Sequence, residues 1–315
     1  MSYNQTVEPH HRLQYSNNVR MVAQEMQISN KLRAAVTIVP ASGEAQDIAD
    51  LIGKTEYQEG EDYGQRNPEI TPSRDRRWLI RPRPVEIGQT ITKEEKFDQA
   101  MDPTSMLVRN QVVTVERGVY DRILGVKKVG SSYEIAGGGI LGAVHSGKTP
   151  SSTSDLPTGN FIAVNAGGAG NTGLTSFKLR AATEAMELED FGLETEDEVW
   201  GLITPKQKTD LINLALATSS NLNPFDVNEI REGRPGKLLG INWMFSNRLP
   251  VDSDGYRLIP IWTKANVVCG MWQDVEGAMW NNTERKNLPY IFTDAYPAAG
   301  RIEDGGVRVI RCNEA

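Results

Sequence analysis

Between residues 53 and 92 the chain has no means of building a packed core, so any fold it adopts must carry this stretch as an excursion. Tyr57, Gly60, Tyr63, Gly64, Pro68, Pro72, Pro82 and Pro84 interrupt any helix there, and no periodic core face persists. A structureless loop of this length is unusual inside a compact domain and is commonly functional or an interaction element. Between residues 66 and 83 of it, Arg66, Arg74, Arg76, Arg77, Arg81 and Arg83 gather against only Glu69 and Asp75, around strand-like Trp78-Leu79-Ile80 and ahead of Val85-Glu86-Ile87. A solvated charged hairpin would have the same composition. The length and the prolines favour a β-arm that lies on something else.

The rest of the chain carries both helix and strand signals, and the α+β class is expected. Ser16-Asn17-Asn18 can cap a short amphipathic helix carrying Val19, Val22, Ala23 and Met26, and residues 32–39 read as extended. Asp102-Pro103 is a helix start, because the carboxylate caps and proline suits the first helical position. Val108, Val112, Val115, Val119 and Ile123 mark one face of the helix that follows, and Gly125 stops it. A glycine-rich connection over residues 137–173 leads to a second helix over 176–191, ended by Gly192. Residues 199–203 read as a buried strand, and Thr204-Pro205-Lys206-Gln207 is a capping box opening a helix with Leu211, Ile212, Leu214 and Ala215 on its apolar face. Strands are expected over 237–245 and 256–262 with Asp252-Ser253-Asp254-Gly255 as a turn, and a last one over 307–311.

Composition excludes several function classes. The net charge is −7, whereas dedicated nucleic-acid binders draw most of their affinity from clustered Lys and Arg; contact with DNA is expected to be weak and non-specific. Two cysteines, Cys269 and Cys312, and three histidines lack metal-ligand spacing and leave little for a His-based triad. No cofactor or metal is expected. No apolar run approaches the ~18 residues of a spanning helix, and the start MSYNQTVEPHH has no signal pattern, so neither a membrane nor secretion is expected.

Gly142-Ala143-Val144-His145-Ser146-Gly147-Lys148-Thr149 fits the phosphate-loop pattern letter for letter. That chemistry needs a strand delivering the loop and a helix leaving it, so that backbone N–H groups face the phosphates. Here glycines break the preceding segment and Pro150-Ser151-Ser152-Thr153-Ser154 follows where the helix should run. Asp252 and Asp254 open like a calcium loop, but no Glu stands at its twelfth position. Opposite in sign to the arm is a run containing Glu184, Glu187, Glu189, Asp190, Glu194, Glu196, Asp197 and Glu198 without a basic residue. Such a run is usually a solvated face; in a self-assembling protein, segregated basic and acidic patches would orient neighbouring copies.

The order of these elements resembles the tailed-phage major capsid family with the Hong Kong 97-type fold. The likeness rests on the Arg-rich excursion, Lys93-Glu94-Glu95-Lys96, Asp102-Pro103-Thr104-Ser105 opening a long helix, and Thr204-Pro205-Lys206-Gln207 after a strand. Leu238-Leu239-Gly240-Ile241, Ser246-Asn247-Arg248-Leu249-Pro250 and the ending from Gly300 to Cys312 continue it. The resemblance implies an N-terminal arm over 1–51, an extended β-loop over 52–97, and a peripheral domain over 98–199 around a spine helix at 102–124. An axial domain over 200–293 and a C-terminal strand over 294–315 that returns to the peripheral domain would complete the chain. It further implies a structural, non-enzymatic subunit that assembles in the bacterial cytoplasm as pentamers and hexamers into an icosahedral virion shell around double-stranded DNA. Arg66, Arg74, Arg76, Arg77, Trp78, Arg81 and Arg83 would make the intersubunit contacts, with Glu187, Glu189, Asp190 and Glu194 as their acidic counterpart. Because the chain starts directly at the arm, a separate scaffolding protein is expected, with a portal and a decoration protein as further partners. Two rivals stay open: a cellular nanocompartment shell of the same fold, and a phosphate-loop enzyme resting on residues 142–149.

Overall fold

The computed structural model describes residues 28–57, 70–91, 104–168, 170–192, 197–218 and 236–314. The expected helix around Val19 to Met26 and the Asp102-Pro103 cap lie outside the described residues. The long helix is present as α2 (Thr104–Leu124), buried through Gln111, Val115, Val119, Tyr120, Ile123 and Leu124. Val108, expected on this face, is exposed instead.

Helix α2 lies on a four-stranded sheet made of β1 (Thr37–Pro40), β14 (Val267–Asn282), β15 (Leu288–Arg301) and β4 (Val85–Thr90), in that order. Strand β1 runs parallel to β14, and the other pairs are antiparallel. Two contacts fix the helix on the sheet. The buried Gln111 amide accepts from Thr293 Oγ1 at 3.2 Å, and Gly118 leaves room for Val85, whose Cγ1 would stand 2.2 Å from a Cβ there. The β14–β15 hairpin, which had no counterpart among the expected strands, is interrupted by register shifts between Met271 and Glu276.

A second sheet of six strands has the order β11 (Lys237–Leu238), β12 (Ile241–Phe245), β10 (Val199–Ile203), β13 (Arg257–Thr263), β16 (Val307–Cys312), β9 (Phe161–Ile162). Helix α3 (Ser176–Glu187) packs on β16 through Leu179, Ala182 and Met186, and α4 (Pro205–Thr218) follows β10. Helix α3 ends at Glu187 rather than near 191, because Asp190 and Gly192 take left-handed conformations. The expected strand over 237–245 is a hairpin, turned by Leu239 and Gly240 at positive φ. Both sheets feed one hydrophobic cluster running from Val115 and Val119 to Trp243, Trp262 and Val309.

A third sheet carries the arm. Strands β2 (Ala45–Ile52), β3 (Arg74–Ile80), β7 (Val144–Ser146) and β8 (Ser152–Ser154) pair in that order, and β5 (Val126–Val129) with β6 (Ser132–Ile135) forms a separate hairpin. Residues 32–39 are not wholly extended: α1 (Ile28–Ala34) continues to Ala34. Its Leu32 is buried, and its Arg33 forks onto Asp274 of β14 at 2.8 and 3.1 Å. Hydrogen bonding also crosses the expected divisions of the chain. The 51/52 boundary falls inside β2, the 293/294 boundary falls inside β15, and β16 pairs with β13 and β9.

Candidate intersubunit interface

Strands β2 and β3 bring opposite charges face to face. Asp50 stands directly across from Arg76, which forks onto it through Nε and through Nη2 at 3.0 Å. That hydrogen bonding holds the Asp50 carboxyl below the usual carboxylate range. The Arg76 guanidinium also lies 5.3 Å from the Trp78 ring centroid, and Trp78 Nε1 donates to Gly147 O at 2.8 Å. Arg77 is buried on the other face: Nε donates to Ile302 O at 2.9 Å, and the guanidinium pairs with Asp75 at 3.2 Å and Asp304 at 3.8 Å. Arg76, Arg77 and Trp78 therefore fasten the arm to its own subunit.

The remaining expected arginines differ. Arg74, Arg81 and Arg83 are exposed, and the Arg81 and Arg83 side chains make no hydrogen bond or ion pair among the described residues. Arg66 lies outside the described residues, as does Glu194 of the acidic run. Glu189 accepts from the buried Arg308 at 2.7 Å, and Asp190 is bonded to Lys54 at the base of the arm. Glu187 is exposed. Lys54–Asp190 is thus where arm and acidic run meet within one subunit, and Lys54 was not among the expected contacts.

The sheet on α2 holds a surface that the sequence reading missed. Side chains alternate across a strand, so Ile291, Thr293 and Ala295 face the helix while Tyr290, Phe292 and Asp294 face away. Across the strands, Tyr290 stands opposite Thr90 and Trp280, Phe292 opposite Gly88 and Ala278, and Asp294 opposite Glu86 and Glu276. Trp280 is 47% exposed. Its ring centroid is 5.0 Å from Tyr290 and 5.9 Å from Phe292, and those two are 6.4 Å apart. The period-2 spacing of Tyr290, Phe292 and Asp294 was the available signal.

The phosphate-loop match dissolves in the fold. Its centre is β7, an antiparallel strand between β3 and β8, and strand β8 follows it instead of a helix. Gly142 is glycine because a Cβ would lie 2.0 Å from Ala136 O and 2.3 Å from Gly138 O. Its backbone N–H is bonded to Gly138 O at 2.9 Å and its carbonyl to Arg301, so neither faces a phosphate. The neighbouring residues finish α2 instead: Ile140 N donates to Ile123 O and Leu141 N to Leu124 O, at 3.0 and 3.1 Å. The Asp252 to Gly255 segment is a tight turn closed by Gly255 N to Asp252 O at 3.0 Å. Both cysteines are buried, and burial pushes each thiol up to about 12. Among the described residues, no group of three or more His, Cys, Asp or Glu could hold a metal, and no helix is long and apolar enough to cross a membrane.

A family model described as phage capsid protein matches residues 7–314. The fold is similar to the capsid asymmetric unit of cyanophage Pam1, at 11% identity, with 100% of both chains covered and a TM-score of 0.67. It is also similar to the capsid of Ralstonia phage GP4, at 11% identity over 99% of this chain and 98% of that one, TM-score 0.64. The capsid of a native GTA particle, computed with C5 symmetry, gives 12% identity over 99% of each chain and a TM-score of 0.63. No curated protein matches the sequence. At these identities the structures speak to fold, and the family model speaks to kinship.

Proposed function

Because the chain belongs to the phage capsid protein family and is a major capsid protein, we propose that it assembles as pentamers and hexamers, in the Hong Kong 97 manner, into an icosahedral shell around double-stranded DNA. The observation that carries this is the family match, which spans residues 7–314 and so takes in the arm, both larger sheets and the last strand. In this reading the peripheral part of the subunit is α2 with the β1-β14-β15-β4 sheet. The axial part is the six-stranded sheet with α3 and α4. The division follows sheets rather than chain position, because β16 pairs with β13.

Assembly is the chemistry of such a protein. Obligate interfaces commonly bury roughly 2,000–5,000 Å² and resemble a core cut in half, and an arm laid across a neighbour adds area. Arg66, Arg74, Arg81 and Arg83 are the arm residues we assign to the neighbouring copy, because Arg76, Arg77 and Trp78 already have partners at home. A net charge of −7 keeps contact with the enclosed DNA weak and non-specific. A scaffolding protein, a portal and a decoration protein are the further partners of this reading, and the host cytoplasm is its site of assembly. Sedimentation velocity of the purified protein, expressed alone and then with its neighbouring gene products, tests it. Species of five or six copies, or closed shells, are expected; a single-chain species at every concentration under both conditions contradicts it.

A further inference from the structure

The sheet face turned away from α2 holds an arrangement that costs the isolated subunit stability. Glu86, Asp294 and Glu276 stand directly across from one another on β4, β15 and β14, and like charges directly opposite on neighbouring strands repel. Gln273 Nε2 bridges Glu276 Oε2 at 3.1 Å and Asp294 Oδ1 at 3.3 Å. No cationic side chain among the described residues bonds any of the three. Beside this row lies the cluster of Trp280, Tyr290 and Phe292. Tyr290 lies so close over Gly88 that a Cβ there would stand 1.8 Å from its hydroxyl oxygen.

Carboxylates next to an exposed aromatic face recognise one side-chain chemistry above others. A guanidinium forks onto a carboxylate and stacks on a ring, and each contact strengthens once water is excluded. The chain carries that group in a suitable form. Arg81-Pro82-Arg83-Pro84 links β3 to β4, its prolines restrict the backbone to extended forms, and both arginine side chains lack partners among the described residues.

The geometry points to this acidic and aromatic face as the surface that receives Arg81 and Arg83 of a second copy of the chain. The inference rests on the shell reading and deepens it by naming the receiving surface. It replaces Glu189 and Asp190 in that role, because those carboxylates are bonded to Arg308 and Lys54 of their own subunit. Asp294 and Glu276 supply the charge, and Trp280 supplies the ring over which a guanidinium stacks.

A charge swap within one chain tests the pairing. Glu276→Arg with Asp294→Arg should lower the assembled fraction at least tenfold by sedimentation velocity, as should Arg81→Glu with Arg83→Glu. All four substitutions together should restore assembly to within about threefold of the wild type. Circular dichroism monitors the fold, and Trp280→Ala, which alters no charge, should also lower assembly at least tenfold while the monomer melts normally. The pairing is overturned if folded half-swaps assemble like the wild type, if the full swap does no better than the half-swaps, or if only an added phage protein restores assembly. A wild type that stays monomeric both alone and with its neighbouring gene products overturns the shell reading itself, whereas a wild type that assembles beside indifferent half-swaps sinks only the pairing.

Discussion

Gly118 sits in the middle of α2, where glycine costs about 1 kcal/mol of helix propensity relative to alanine. The fold keeps it because Val85 of β4 occupies the place of a side chain. Overpacking typically costs about 1–3 kcal/mol, so Gly118→Ala should lower subunit stability by roughly 1 kcal/mol net. Urea unfolding of the unassembled subunit reads this, and an increase in stability would contradict the packing. Lys178 is a second such residue: fully buried, it donates from Nζ to Thr172 O, Gly173 O and Arg311 O at 2.7, 2.9 and 3.0 Å. Burial pulls its pKa below the ordinary lysine value. The unfolded chain then holds more protons than the native one between the folded value and about 10.4. Stability from this group is therefore present above the unfolded pKa and lost as the pH falls through the folded one. The stability of the wild type relative to Lys178→Met should rise with pH across that window, and a flat difference in melting temperature would refute the assignment. Neither residue announces itself in sequence. A helix-interior glycine and a lone lysine are ordinary until a neighbouring strand or three carbonyls are placed beside them.

At the scale of elements, what could be read was what depends on local chemistry. Half of the Thr204-Gln207 box is present: the Thr204 backbone N–H donates to Gln207 Oε1 at 3.0 Å, while the Thr204 hydroxyl and the Gln207 amide both donate to Glu314, at 2.8 and 2.7 Å. Burial pushes the Glu314 carboxyl up, but hydrogen bonds from Arg257, Gln207 and Thr204 outweigh it and leave the carboxyl below the usual range. Gln207→Ala breaks both ends of this link and should cost about 1–2 kcal/mol, at the level of a lost cap; a thermal melt unchanged from the wild type would contradict it. The β14–β15 hairpin was not legible. Pairing is interrupted by register shifts around Gln273 and the outer half of β14 is largely exposed, so β14 declares no period, and the alternation of β15 over Tyr290, Phe292 and Asp294 stands without a partner strand. The phosphate-loop match misled in the opposite direction, because close backbone approach demands glycine as strictly as a phosphate does. Lys148 is exposed, so Lys148→Ala should leave stability within about 0.5 kcal/mol and assembly unchanged. Gly142→Ala should impair the soluble yield, and the reverse ranking would revive the nucleotide reading.

For the whole molecule, the mixed helix-and-sheet class and the capsid role followed from the order of elements, while the pairing partners of the last strand did not. Strand β16 belongs with β13 because apolar Val307, Val309 and Ile310 complete a core that chain position alone does not indicate. The arm arginines illustrate the same limit. Their clustering suggested one basic surface, but pairing with Asp50, Asp75 and Asp304 spends two of them at home and leaves Arg81 and Arg83 facing outward. The capsid role rests on self-assembly, which negative-stain electron microscopy of the protein, produced alone and then together with its neighbouring gene products, reads without an intermediary. Capsomer rings or closed shells of uniform diameter are expected; particles no larger than a monomer or dimer under both conditions would refute the role.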